Sequence, residues 1–460
     1  MKKAAMVLLF LALTSVILGF LFWGMMDLPD SAFYFAIGEY IKSGKYPFTY
    51  PYIYSRPTTI SPPLYGLFLL PLWGLPRSDI IIHLIQVLIL LTTAYFTYKS
   101  ARYFLPSAWS LIAVSFLLLI PGNTIFTSLV MTEIGAQLLV GIYVYLLLSY
   151  FIFKKPKFLH SAILVGLLMG LWKYSLIVYG GVAILILFMK RPKLGICWLL
   201  PVTGVLIITG WIFVNHRITN VWGLSDASGI QMYNLVVWNG RLSPKVDNQS
   251  WLKLRHYVGT GVNIYRPYWD LQEYILSKNN RNWWEVNSIL GSVATAAIKN
   301  NPFGYALVVA RNFILIHGPT SFYEADWRRA CQNAPADFRP FYNQNGTFRL
   351  CAPIINERVA QPFWNWYISF TGLFYNYVFP ITNYLILLPA LILLPLMGSI
   401  REKILAVLYL IGVGSTAMIA HLDQRYLMPF YPIVSIVVFS GLHRLTATTK
   451  GLLLRLKVQP

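Results

Sequence analysis

Acidic residues are scarce in this sequence, with 16 Asp and Glu against 37 Lys and Arg in 460 residues. Cysteine is scarcer still, at three residues with no CxxC pair, and the seven His include no HExxH, so the spacings that build zinc sites are missing. There is no P-loop, no GxGxxG at a strand-to-helix turn and no internal repeat, which removes the common nucleotide-binding and solenoid signatures. Charge of either sign is thin, at 12% of residues, while 57% are hydrophobic and 16% aromatic. That balance is more apolar than a soluble domain tolerates, so the expected fold class is an all-α polytopic membrane protein.

What the chain has instead is long hydrophobic runs. The first, Ala4 to Met26, follows Lys2 and Lys3 and matches the roughly 20 residues a bilayer core requires. It ends on Trp23, Met25 and Met26, with no small-x-small cleavage site, and reads as an uncleaved first span. Further spans are expected near 80–98, 107–121, 134–153, 159–173, 174–189, 194–214, 377–398, 403–420 and 428–443, the two around Lys173 forming a steep hairpin. With the N-terminus inside, ten spans put every basic cluster on the cytoplasmic side: Lys2/Lys3, Lys99/Arg102, Lys154/Lys155/Lys157, Lys190/Arg191/Lys193, Arg401/Lys403 and the tail from Arg444 to Lys457. Counting the apolar stretch 62–76 as a span would break that parity, so it is expected along the outer interface, as is 303–317 with Arg311 in its middle.

These cytoplasmic clusters hold sixteen of the 37 Lys and Arg but one acid, Glu402. The basic balance is therefore mostly topology, and the nucleic-acid reading of a pI near 9.8 loses its support. The chain divides into an N-terminal transmembrane module, 1–214, with a first outer loop at 27–79; a large outer, periplasmic segment, 215–376; and C-terminal helices with a basic cytoplasmic tail, 377–460. Cys331 and Cys351 fall in the outer segment, on the oxidising side, and are expected to form a disulfide. Cys197 sits in a span as an inert core thiol. The expected setting is the inner membrane of a bacterium, with both termini cytoplasmic.

Nearly all the acids, and so the candidates for acid/base chemistry, lie on the outer side. A transferase there cannot draw on cytoplasmic nucleotide sugars and would take an activated sugar from a polyprenyl-phosphate carrier. It needs a carboxylate base for the acceptor hydroxyl, cations for the departing lipid phosphate, and an apolar slot for the lipid.

"DSAFYFAIGEYIKSGKYPF" followed by "TTISPPLYGLFLLPLWGL" resembles the first outer loop of the GT-C superfamily of polyprenyl-phosphate-dependent glycosyltransferases, the protein O-mannosyltransferase and lipid A aminoarabinose transferase relatives. Asp30, Tyr34, Ala36 and Pro62-Pro63-Leu64-Tyr65 match in order. "SLVMTEIGAQLL" is similar to the family's second outer acidic site, "GLLMGLWKYSLIVY" to its glycine-rich span ending in Lys, and "HLDQRYLMPFYP" to its late Arg-Tyr segment. The resemblance implies a GT-C-like bundle of about ten transmembrane helices with interfacial helices and outer loops, and an enzyme moving a sugar from a polyprenyl-phosphate donor to a lipid, glycan or protein acceptor. A single base with a phosphate leaving group suits direct displacement with inversion. The family's usual acidic pair is broken, because Ser31 follows Asp30.

By this resemblance Asp30 is the general base, with Asp27 in reserve; the competing role for Asp30 is a helix N-cap. Glu133 is a substrate or metal contact, or a carboxylate complementing a helix N-terminus. Two carboxylates, Asp30 and Glu133, are too few oxygen ligands to specify a divalent metal, which stays open. Lys173 binds the lipid phosphate or snorkels from a helix end. Tyr34, Arg56, Tyr65, His421, Arg425 and Tyr426 complete the expected donor site, against interface anchoring or solvation. Two rivals remain, a lipid-linked oligosaccharide polymerase or ligase using outer Arg and His, and a transporter or flippase. The second fits less well, because polar groups collect at one face and not near the midplane.

Overall fold

The computed structural model describes residues 1–25, 29–44, 59, 61–73, 75–190, 198–259, 261–278, 283–318, 357–419 and 424–457. Among these residues there is no strand. In chain order the helices are α1 (Lys2–Phe22), α2 (Pro29–Ser43), α3 (Pro63–Trp73), α4 (Ser78–Ala101), α5 (Ser107–Leu119), α6 (Pro121–Thr127), α7 (Glu133–Phe153), α8 (Pro156–Trp172), α9 (Val178–Lys190), α10 (Leu199–Thr219), α11 (Ser228–Tyr233), α12 (Gln249–Val258), α13 (Tyr268–Lys278), α14 (Trp283–Asn300) and α15 (Pro302–Leu315). A long run follows from Glu357 to Met397, with π-helical turns at Phe374–Val378 and Asn383–Leu387, then Ile400–Ile419 and Tyr431–Lys457.

Each of the ten expected spans contains a helix. Six helices among the described residues are long and apolar enough to cross a bilayer: α1, α4, α7, α10, Pro362–Leu396 and Arg425–Thr446. The pair α5 and α6, bent by 56°, makes a seventh if it counts as one span. The remaining three expectations fall on α8, on α9 with its preceding 3-10 turn, and on Ile400–Ile419, whose first residues include Arg401, Glu402 and Lys403.

Local chemistry sets the boundaries that matter for the site. α7 opens on Glu133, whose negative charge suits the first turn of a helix, and closes at Lys154 in the left-handed region, φ 56°. Pro156 then occupies the first turn of α8, where its missing N–H costs nothing. α8 stops at Lys173, whose backbone is extended, before a 3-10 turn at Tyr174–Ile177. Ile120 separates α5 from α6, which starts at Pro121. The bend is clamped from the far end of the chain: the Tyr367 hydroxyl donates to the Pro121 carbonyl, and Gly122 N donates to the Tyr375 hydroxyl, both at 3.0 Å.

One apolar core joins α1 to α9 and the C-terminal helices. A second is built between Ile230 and Val308, with Tyr233, Leu254, Leu271 and Leu290 buried in it, so part of the 215–376 segment packs around its own centre. The Tyr305 hydroxyl of α15 donates to the Met418 carbonyl at 2.9 Å and ties the two together. α8 and α9 do form a tight hairpin: a Cβ on Gly166 would lie 2.6 Å from Gly180 N, so only glycines allow that approach. α3, with 11 residues too short for a span, packs on α2 and α8.

Candidate active site

α7 and α8 run antiparallel through the short turn of Lys154 and Lys155, so the start of one and the end of the other share the opposite end of the bundle. There the Lys173 ammonium donates to Glu133 Oε1 at 2.8 Å. The Glu133 side chain is 1% exposed and that of Lys173 is 11% exposed. Lys173 is thus buried and paired, which the snorkelling reading does not describe. The Tyr426 ring lies 5.0 Å from Lys173 Nζ, and the Arg425 guanidinium is 5.5 Å from the same ring. Lys173 and Tyr426, noted separately in the sequence, therefore meet beside a buried carboxylate, with Arg425 on the ring of its neighbour Tyr426.

The wall beside this pair comes from the first loop. Trp172 donates its indole N–H to the Thr132 carbonyl at 2.8 Å, fixing the turn before Glu133. Tyr65 packs edge-on against Trp172, ring centres 5.3 Å apart, and against Tyr34 at 5.0 Å. The Tyr65 hydroxyl donates to Gln86 Oε1 at 3.2 Å, and Gln86 Nε2 donates to the carbonyls of Thr127 and Leu129. Burial, followed by the Glu133 charge, pushes the Tyr65 phenol well above its ordinary range, so it stays a neutral donor. α2 and α3 approach closely because Gly66 carries no side chain: a Cβ there would sit 2.4 Å from the Tyr34 carbonyl.

Asp30 lies in the first turn of α2. Its neighbour Ser31 is fully buried and donates from Oγ to the Val130 carbonyl at 2.8 Å, three residues before Glu133. The residue that broke the acidic pair thus ties the start of α2 to the Glu133 turn. Asp27, Arg56, His421, Cys331 and Cys351 lie outside the described residues.

A further group escaped the sequence reading. The Tyr174 hydroxyl, one residue beyond Lys173, donates to the carbonyls of Thr59 and Ser61 at 3.0 and 3.1 Å. Thr59 N donates to Asp226 Oδ1 at 3.2 Å, Asp226 N donates back to the Thr59 hydroxyl at 3.2 Å, and that hydroxyl donates to Asn215 Oδ1. The end of the first loop is knotted to the start of the outer segment through a carboxylate 1% exposed. Gln86 could have been suspected as a polar residue inside "IIIHLIQVLIL". Asp226 carried no such signal, being one acid among many in a polar segment.

Chemically, the arrangement offers a held ammonium with two further N–H donors, a guanidinium and aromatic faces, suited to an oxyanion such as a phosphate at an apolar boundary. Among the described residues no three His, Cys, Asp or Glu gather as metal ligands.

A sequence model described as glycosyltransferase family 87 matches residues 60–310. Among curated proteins no sequence matches. The chain is similar to two crystal structures of ArnT from Cupriavidus metallidurans. The one bound to undecaprenyl phosphate has 12% identity and a TM-score of 0.35, over 96% of this chain and 78% of that one. The apo structure has 12% identity and a TM-score of 0.34, over 95% and 77%.

Proposed function

The chain belongs to glycosyltransferase family 87, a family of the GT-C fold, and on that premise we propose that this integral membrane glycosyltransferase takes its sugar from a polyprenyl-phosphate carrier. The observation that carries the reading is the buried Lys173–Glu133 pair at 2.8 Å, set beside Tyr426 and the start of α2.

Lys173 and Arg425 hold the lipid phosphate and stabilise its charge as it leaves, where a dry surrounding strengthens each interaction. Glu133 positions the Lys173 ammonium by occupying one of its three donors. Asp30 accepts the proton of the acceptor hydroxyl while that oxygen attacks the anomeric carbon, and the carrier departs from the opposite side, which inverts the configuration. Tyr34 and Tyr65 line the path from α2 to this pair. The site belongs to the outer face of a bacterial inner membrane, because the six Lys/Arg clusters lie in segments that the ten-span count puts on the cytoplasmic side.

Asp30→Asn keeps the size and much of the capping ability of the side chain but cannot accept a proton. Transfer from a polyprenyl-phosphate sugar to acceptor is expected to fall by about 100-fold or more, with folding and carrier binding retained. Near-normal transfer in Asp30→Asn with loss in Asp27→Asn would move the base three residues upstream. Full activity in both would sink the proposal in favour of a polymerase or ligase. Mass spectrometry of lipid-linked sugars in cells with and without the protein identifies the sugar.

A further inference from the structure

The helices around the second core enclose a groove that the chemistry above does not use. Its volume is about 950 Å³, near the upper end of the roughly 300–1,000 Å³ typical of ligand sites. The floor is the crossing of α11 on α14. A Cβ on Gly291 would lie 2.8 Å from the Gly229 Cα, and one on Gly229 would lie 2.2 Å from the Asn287 carbonyl. Bare backbone at the crossing leaves the space above it to longer side chains on the rim.

The chemistry of those side chains narrows the occupant. Amides and hydroxyls from Gln249, Ser250, Ser288 and Ser292 line the groove, flanked by the ammonium groups of Lys245 and Lys299, whereas Asn248 Oδ1, Asn287 Oδ1 and the Thr295 hydroxyl are bonded to backbone groups. None of the lining residues is aromatic, and Met232 is the largest apolar one. A lipid tail finds no slot here, and a peptide finds no pocket for a hydrophobic anchor. Two lysines partly offset by Asp247 are too little charge to neutralise a nucleic-acid backbone. Groups that both donate and accept, spread along an open groove, match a ligand whose surface is hydroxyls.

Position adds a second argument. Ser228, on the groove wall, follows Asp226 by two residues, and Asp226 is bonded to Thr59, whose carbonyl accepts from Tyr174 beside Lys173. The groove therefore begins where the first loop is knotted to the outer segment.

We propose that this groove is an acceptor subsite for a carbohydrate chain of more than one sugar unit, an inference that rests on the transferase reading above. The purified full chain is to be probed on an array of short neutral and acidic oligosaccharides, as wild type, as Thr295→Trp and as the double variant Lys245→Ala/Lys299→Ala. All three positions are exposed, so the fold should survive, and thermal melting checks that it does. Wild type is expected to bind a subset of the array, and Thr295→Trp to bind it roughly tenfold or more weakly. The lysine pair should weaken acidic members more than neutral ones.

No binding to any oligosaccharide overturns the proposal, as does binding that Thr295→Trp leaves intact. Carrier binding is read separately, with undecaprenyl phosphate on wild type, Thr295→Trp and Lys173→Ala. Thr295→Trp should bind it as wild type does. If Lys173→Ala also binds it normally, the donor-site reading fails, while the array still decides the groove.

Discussion

Lys173 and Glu133 are a pair whose removal is not symmetric. Taking one charge away leaves the other buried without its partner, a change that typically costs about 3–5 kcal/mol, whereas removing both leaves a neutral contact. Lys173→Met is expected to lower stability by about that much in detergent melts, and Lys173→Met/Glu133→Gln to recover most of it. On the proposed reading neither variant should regain transfer, because the carrier phosphate would lack its ammonium. A double variant no more stable than Lys173→Met would show that the two are not coupled. The sequence marked both residues, since ionisable groups at the edges of apolar runs stand out. Their meeting was also within reach: an antiparallel hairpin turning at Lys154 and Lys155 brings residues 133 and 173 to one end. What could not be read was Ser31, whose hydroxyl finds the Val130 carbonyl through a fold that places residues 99 apart in contact.

At the level of elements, glycine decides how closely α7 and α8 sit. A Cβ on Gly135 would fall 2.1 Å from the Trp172 ring, so the indole would have to leave the Thr132 carbonyl and disturb the turn that presents Glu133. Gly135→Ala is expected to cost about 1–3 kcal/mol, as overpacking does, and to lower kcat/KM for transfer. Gly181→Ala, where nothing lies within 4 Å, is the comparison that should leave both unchanged. Equal behaviour of the two variants would remove Trp172 from the site's support. The glycine-rich character of α8 was visible in the sequence, but its partners were not, because close approach depends on which helices neighbour one another. The Thr59 knot was hidden for the same reason: its members come from a loop, a helix end and a turn far apart in the chain.

Across the whole molecule, the proposed orientation puts the second core and the Glu133 end of the bundle outside. A cysteine introduced at position 250 is expected to react with a membrane-impermeant thiol reagent from outside, and one at position 155 only after permeabilisation. The reverse pattern would invert the site's face and the source of its donor. Charge distribution made this expectation possible, whereas the length of 215–376 only allowed for a small outer domain, and that residues 230 to 308 gather their own core depends on which of its helices meet. The clamp on Pro121 has a consequence for how the protein comes into being. The Pro121 carbonyl and Gly122 N–H take their partners from Tyr367 and Tyr375, 246 and 253 residues later. While the chain is still emerging from the ribosome, those two backbone groups must rest on water or on transient neighbours. The bend that carries α6 toward the Glu133 turn thus acquires its final support only when the C-terminal helices are inserted.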